Sequence, residues 1–458
     1  MDVAVVGAGP TGLVSVVGLA RRGHRVALVD NDRGPAPDGQ WARRGVMQFH
    51  HPHAFRGQAV DVLRAEVPEA VDALLALGAE PITGADASGG AGGGELPAGA
   101  GLRCRRMVVE RELRRVAERE PGVRRVRTRA DVVRRDGGRA VGVGARDRSL
   151  DADLVVVATG RGGRLADGLR APEESSDCGL SYVSRQYRLR AGAEQGPITS
   201  PIGAVAEHDG YVAIVFVHDA GVFSTLIARP SADRRLALLR HDAAYDAAVR
   251  AIPLLAAWTD PDRAEPLTPV LPGGRLHNTY RGQLDDAGRL PLPGLVFLGD
   301  SVCTTNPTAG RGVSTSLMQV ERFLALLDEH GDDHVATGLA LDAWCAERIR
   351  PWFLDHVAND AAQVARWEGR DGADLDPAGT PTSDLVVRAI AVDPSLMCIV
   401  GPYLTMRALP GSLTAAHPRV REIYASGWRP SYAEGPTRDE LAALVAGSLA
   451  EVPATALA

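Results

Sequence analysis

The 458-residue chain contains no lysine; its 51 basic residues are all arginine. That absence removes two kinds of chemistry. No side-chain amine can form a Schiff base, and no P-loop lysine is available. Phosphate groups must be held by glycine-loop amides, helix N-termini or arginine. Cysteine is scarce too. Cys104, Cys178, Cys303, Cys345 and Cys398 are scattered, odd in number and never spaced C-x-x-C, which argues against a disulfide framework or structural zinc. No apolar run reaches the about 18 residues of a membrane helix. The first apolar run has no charged leader and carries a glycine motif, so it reads as a strand rather than a signal peptide. A cytoplasmic protein is expected. Acidic residues number 57 and the formal net charge is −6. The basic run RCRRMVVERELRR at 103–115 is broken by glutamate and apolar residues, so nucleic acid is not an expected partner.

What is present is a chain 45% hydrophobic, long enough for two or three domains. Residues 2–7 and 25–30 are short apolar runs flanking a helix expected over 10–23. A helix over 56–78 is expected to break or kink at Pro68, because proline lacks the backbone donor. The glycine-rich stretch 82–100 supplies little packing and reads as a mobile surface loop. Residues 108–118 read as helix, and LVVVATG at 154–160 as a buried strand entering a sharp turn. From 180 to about 285, short β-rich runs separated by turns predict a separate sheet. A further buried strand is expected at 295–299. Helices are expected over 313–328 and 335–366 and through most of the final third, where T-R-D-E at 437–440 forms a capping box.

The first motif is GAGPTG at 7–12. Gly7 permits a tight turn, Gly9 lets backbone approach a diphosphate, and Gly12 lets the helix lie against the strand. The helix N-terminus then faces the anion. Asp30 ends the second strand, where an acidic residue accepts hydrogen bonds from an adenosine ribose. The second motif lies far away: LVFLGDSVCTTNPTAGRG at 295–312, a buried strand opening into a small, polar, glycine-rich loop.

Together these segments resemble the FAD-dependent monooxygenase superfamily, with its aromatic-hydroxylase-like fold. They are most similar to a bacterial branch of flavin epoxidases and uncharacterised FAD oxidoreductases. GVMQFHHPHAF at 45–55 carries that branch's Gly45, Val46, Gln48, His51 and His53, with Met47 in place of proline. The resemblance extends through YVSRQYR at 182–188 and spans about residues 1–365. It implies an α/β fold: a Rossmann-like FAD-binding domain over 1–170 and 286–345, an inserted β-sheet substrate domain over 171–285, and a mainly helical C-terminal region over 346–458. It implies FAD as cofactor. The first half-site is Gly7, Gly9, Pro10, Thr11, Gly12 and Asp30, joined by Arg111 and by an arginine after the second strand, Arg44 in preference to Arg43. The second half-site is Gly299 and Asp300, with Asp300 on the ribityl side, then Pro307, Gly310, Arg311, Gly312 and Val313 beside the flavin.

The activity implied is a monooxygenase. One oxygen atom of O₂ enters an apolar aromatic or alkene small molecule, by hydroxylation or epoxidation, through a flavin C4a-hydroperoxide. An FAD dehydrogenase or alkene reductase without oxygen insertion is the alternative. No residue stands out as an obligatory acid or base. Many relatives carry Asp-Gly after the third strand; here the segment is ATGRGGR at 158–164. Electrons therefore come either from NAD(P)H directly, with Arg161 available to a nicotinamide phosphate, or from a separate flavin reductase. Ala309–Gly310–Arg311–Gly312 stands where the epoxidase branch often has Tyr-Gly-Gln-Gly. The WxWxIP motif of tryptophan halogenases is missing.

Other features are weaker. HHPH at 50–53 has no neighbouring carboxylate cluster, so no metal is expected; His51 and His53 are either structural or on the substrate side. No GxSxG elbow occurs. Cys303 reads as a small packing residue. On the strand containing 185–188, alternation puts Arg185 and Tyr187 on one face and Arg188 on the other. The face of Arg185 and Tyr187 either borders substrate or simply covers the sheet.

Overall fold

The computed structural model describes residues 1–43, 45–82, 96–146, 148–370 and 379–450. Most of the stretch expected as a mobile glycine-rich loop lies outside the described residues.

A five-stranded parallel sheet organises the first part of the fold. Across it run Leu295–Phe297, Leu154–Val157, Asp2–Val6, Arg25–Asp30 and Val123–Arg127. The inner strands are nearly continuous valine and leucine because both faces are covered; all four residues of Leu154–Val157 are buried. Leu295 pairs with Val155 and Val3 with Leu154, so 299–312 and 7–12 leave the same carboxyl edge of the sheet. Ligands bind at that edge in open α/β sheets. The helix Pro10–Arg21 follows the first strand directly, with Gly9 at its N-cap.

The expected break at Pro68 occurs. The helix Gly57–Glu66 ends, Val67 turns out at φ −142°, and Pro68–Ala76 begins with proline in its first turn. The span 335–366 divides as well, into His334–Arg348 and Arg350–Trp367. Pro351 is the reason: a residue without a backbone donor fits a first turn and breaks a helix interior. The strand Val123–Arg127 and the three-stranded meander Ala130–Asp136, Arg139–Ala145 and Arg148–Asp151 carry too many arginines and aspartates to stand out as apolar runs.

The inserted sheet is antiparallel, ordered Gly203–His208, Tyr211–Val217, Val222–Pro230, Leu180–Leu189, Ala264–Pro266, with Leu271–Gly273 also pairing on Leu180–Leu189. The region is not purely β. Helices Asp242–Ala251 and Pro253–Thr259 cover one face, burying Tyr187, Phe223, Tyr245 and Trp258 in one cluster.

The C-terminal region is helical but serves two cores. Val386, Val400, Tyr403, Val420 and Ile423 join the core around the parallel sheet. The helix Arg438–Ala450 instead adds Leu441, Ala442 and Val445 to the core of the inserted sheet. The expected capping box opens it: Thr437 N–H donates to Glu440 Oε2 at 2.8 Å, and Glu440 N–H to Thr437 Oγ1 at 3.3 Å. Among the described residues no helix is long and apolar enough to cross a membrane.

Candidate cofactor and substrate site

The glycine loop at 7–12 is built by close approach. Gly7 has φ +109°, and a Cβ there would run into the carbonyl of Ala158; one on Gly12 would strike the carbonyl of Gly7. Gly9 faces open space, with nothing within 4 Å of a Cβ. Pro10 and Thr11 are buried in the first turn of the helix. Asp30 latches the loop to the second strand. Its Oδ2 accepts from Ala8 N–H at 2.7 Å and its Oδ1 from Asp32 N–H at 2.7 Å. A carboxylate has about four acceptor sites, so capacity remains for a ligand hydroxyl.

The late loop packs directly against the early one. Gly299 has φ +71°, and a Cβ there would sit 2.5 Å from Thr11 Oγ1. Its N–H donates to the buried Gln319 at 2.8 Å. Arg170 lies over the Phe297 ring at 3.6 Å and donates to the carbonyls of Arg281, Gly282 and Ser301. Burial, then the nearby Arg281, pushes its pKa down to about 9. Among the described residues, the Asp300 carboxylate has one long hydrogen bond, from Ser316 Oγ at 3.4 Å. Desolvation raises its pKa, partly offset by Arg106 and Ser316. A desolvated carboxylate short of donors fits a hydroxyl-bearing ligand. Beyond it, Pro307–Ala309 turns, Gly310 closes the turn at φ +63°, and the helix Gly312–His330 starts with Val313 in its first turn. A Cβ on Gly310 would meet only Ala54 O, at 3.9 Å, and one on Gly312 nothing within 4 Å.

A cavity of about 1150 Å³ opens between 31–43 and the start of the helix Arg106–Arg119. Arg111 lines it, with Arg33, Arg43, Trp41 and His50. Arg44 lies outside the described residues. Its neighbour Arg43 is placed clearly: it donates to Ala8 O at 2.8 Å and to the buried Glu110 at 2.6 Å, and lies 3.3 Å from Asp30. Open glycines, an uncapped helix start, an undersupplied carboxylate and an arginine-lined cavity fit an extended, anionic, hydroxyl-rich cofactor such as FAD.

Three of the expected site side chains are held by other protein groups. The buried Arg311 guanidinium pairs with Asp355 at 2.7 Å and lies 4.9 Å and 4.6 Å from the Trp352 and Tyr403 rings. Arg185 and Tyr187, expected either to border substrate or to cover the sheet, lie on the face packed under the helices at 242–259. Arg185 bonds Asp246 and the carbonyl of Thr268 at 2.8 Å, and Tyr187 stacks on Phe223 at 5.4 Å, beneath the covering helices. The opposite face of the strand carries Tyr182, Ser184 and Gln186 towards 48–53. Gln48 donates to Tyr182 OH, His51 Nδ1 pairs with Ser184 Oγ at 2.7 Å, and Gln186 donates to His50 O at 2.6 Å. A narrow cleft lies there, lined by Gln48, His51, Pro52, Tyr182, Phe216, Leu226, Pro307 and Thr308.

His51 therefore lines the cleft, where burial pushes its pKa down to about 4. His53 donates from Nδ1 to His51 O at 2.9 Å, and burial followed by Arg106 pushes it down to about 3. Both are neutral near pH 7. Among the described residues, no group of three side chains is placed to hold a metal. Cys303 is fully buried. In the segment replacing Asp-Gly, Thr159 Oγ1 is buried without a partner, while Arg161 is exposed and donates to Arg275 O at 2.5 Å. Gln48 and Tyr182 lie in the segments 45–55 and 182–188; strand parity puts Tyr182 opposite Tyr187, and the covering helices decide which of the two faces is sealed.

Comparison with known proteins agrees with this geometry. Residues 2–182 match the family model "Glucose inhibited division protein A". No curated protein matches the chain by sequence. Among solved structures, PqsL, a probable FAD-dependent monooxygenase from Pseudomonas aeruginosa, is similar with a TM-score of 0.56 and 17% identity, over 81% of this chain and 99% of that one. The flavin-dependent brominase Bmp2 gives 0.60 and 15%, over 93% and 100%. A single-residue mutant of 2-methyl-3-hydroxypyridine-5-carboxylic acid oxygenase gives 0.55 and 15%, over 82% and 94%. The chain shares the fold of these proteins.

Proposed function

We propose that the protein is an FAD-dependent monooxygenase acting on a neutral, apolar aromatic or alkene small molecule. The observation that carries this reading is the cleft between the inserted sheet and the Pro307–Thr308 turn. Its walls are Pro52, Phe216, Leu226 and Pro307, its polar groups are the uncharged Gln48, Tyr182, Thr308 and neutral His51, and none of these lining side chains is ionised. It adjoins the loop that would hold the flavin.

FAD, when bound, supplies the two-electron reduction and the activation of O₂. One oxygen atom enters the substrate and the other leaves as water, with the two electrons coming from NAD(P)H or a reductase. The protein's part is placement. The first-helix amides and Gly9 receive the diphosphate, Asp300 accepts from the ribityl chain, and Arg111 flanks the approach. The apolar cleft orients the substrate and keeps water out. It holds only about 10 Å³, space for about one water. A ring therefore enters only when the walls of the cleft part. The site residues and the division into an FAD-binding part, an inserted substrate sheet and a C-terminal helical part belong to this proposal.

Purified protein should carry or take up FAD, and denaturation should release FAD. Rapid mixing of the reduced enzyme with ¹⁸O₂ and candidate apolar substrates should place label in the product. Turnover with no label in any product overturns oxygen insertion in favour of the dehydrogenase or reductase reading.

A further inference from the structure

The helices after residue 346 carry no motif, yet they hold the flavin loop from behind at three points. At the loop's start, Asn306 Nδ2 donates to Asp360 Oδ1 at 2.7 Å. Asn278 Nδ2 donates to Asp360 Oδ2 at 2.7 Å, and Asn278 Oδ1 accepts from Asn306 N–H at 2.7 Å. Asn306 Oδ1 in turn accepts from Thr308 N–H at 3.0 Å. In the middle, Arg56 donates to Ala309 O at 2.5 Å and to Leu404 O. At the end, Arg311 lies against both Trp352 and Tyr403, which stack on each other, and is ion-paired to Asp355, whose carboxylate also accepts from Tyr403 OH at 2.8 Å and Ser383 Oγ at 2.5 Å.

Asp355 and Asp360 lie on one helix, Arg350–Trp367, and both are buried to within a few per cent: the side chain of Asp355 is 6% exposed and Asp360 is 6% exposed. Buried carboxylates are costly unless fully hydrogen-bonded. Here each carboxylate oxygen accepts at least one bond; apart from a contact of Asp360 with Cys178, these bonds lead to the loop or to the groups that brace it. We infer that Asp355 and Asp360 are positioning residues that fix residues 306–312 against the cofactor, making the C-terminal helices a working part of the flavin site. The inference rests on the proposed FAD reading. Rigid support of this kind sets how accurately a site holds its ligand.

The variants Asp360→Asn and Asp355→Asn test it in the full-length protein. An amide offers one acceptor oxygen where Asn278 and Asn306 need two, and it leaves Arg311 without its counter-charge. Hydrogen exchange over 303–313 in the apoprotein should accelerate in both variants. FAD binding, read by flavin fluorescence, should weaken about tenfold, the loss expected from a buried charge-assisted contact, and the flavin midpoint potential should shift. Tyr403→Phe, which keeps the ring against Arg311 and removes only the hydroxyl, is a milder variant should either aspartate change prevent folding; it should accelerate exchange across 310–313. Wild-type exchange across the loop overturns the clamp. Faster exchange with unchanged FAD affinity and potential reduces it to packing. Failure of the wild-type protein to bind FAD sinks the functional reading instead, and the exchange comparison still decides whether this helix holds the loop.

Discussion

Thr11 and Gly299 are separated by most of the chain, yet Thr11 Oγ1 occupies space only 2.5 Å from where a Cβ on Gly299 would stand. The contact packs the start of the first helix against the late loop, bringing the two proposed half-sites together. Gly299 also sits at φ +71°, where an L side chain costs about 1–2 kcal/mol.

Gly299→Ala should therefore weaken FAD binding and lower the melting temperature together. Thr11→Ala removes the two nearest clashing atoms and should restore part of the loss in the double variant, leaving the backbone cost. FAD titration and thermal melts across the four-member cycle measure the coupling. Strict additivity of the two changes would show that they do not meet.

Asp300→Ala should cost about 1.5–3 kcal/mol of FAD binding, about 10–160-fold in Kd, through loss of a charge-assisted hydrogen bond. Removing a desolvated, poorly partnered carboxylate should at the same time leave the apoprotein as stable or more stable. A variant that loses stability while its folded fraction binds FAD as tightly as wild type would show that Asp300 serves the fold alone.

Much of this fold is legible in the sequence where local chemistry decides. Gly7, Gly9 and Gly12 announce their turn, Pro68 its helix break, and Thr437 with Glu440 a helix start. What escapes is whatever tertiary partners decide. Arg311 stands one residue from two glycines at the flavin loop, but its direction is set by Asp355, Trp352 and Tyr403, more than forty positions on. Period-two alternation separates Tyr182 from Tyr187 correctly; only the helices at 242–259 determine which of them is sealed away. The arginine-rich meander at 130–151 offers too little apolar contrast to be recognised from pattern.

The two faces of that strand make a direct prediction. Gln48→Ala or Tyr182→Phe should change KM for an accepted substrate, because both side chains line the proposed substrate cleft and bond each other there. Tyr187→Phe should leave KM and kcat near wild type and cost at most about 1 kcal/mol of stability. A larger KM effect from Tyr187→Phe than from Tyr182→Phe would reverse the assignment of the faces.

Acid should destabilise the protein before most carboxylates titrate. Burial pushes His51 down to about 4 and His53 and His218 down to about 3. Free imidazole titrates near about 6.5, so on acidification the unfolded chain takes up protons first. The contribution of these histidines is complete above about pH 6.5 and falls by about 1.4 kcal/mol per pH unit for each of them as the pH drops towards 4. Urea unfolding of the apoprotein at pH 7.5, 6 and 5 should show this loss, and His218→Gln should flatten it. Stability unchanged between pH 7 and 5 would mean that these imidazoles are not held neutral.

The source of electrons can be read at 158–164. Thr159, Gly160, Arg161 and Gly162 stand where the flavin hydroxylases that the sequence resembles often carry an acidic turn; under the proposed function, one polar contact on the donor side would be missing. Slow reduction by NADH or NADPH alone is therefore expected, with much faster turnover when a flavin reductase supplies the electrons. Arg161 offers the competing outcome: it is exposed and donates to a backbone carbonyl, Arg275 O, and arginine makes strong bidentate contacts to phosphate. Anaerobic bleaching of the flavin with each nicotinamide, with and without substrate, separates the two. Bleaching at about 10 s⁻¹ or faster, a typical enzymatic turnover, with no partner present would overturn the two-component expectation. Arg161→Ala would then be decisive: selective loss of NADPH use with NADH use retained places that arginine at the donor's phosphate, and equal loss of both does not.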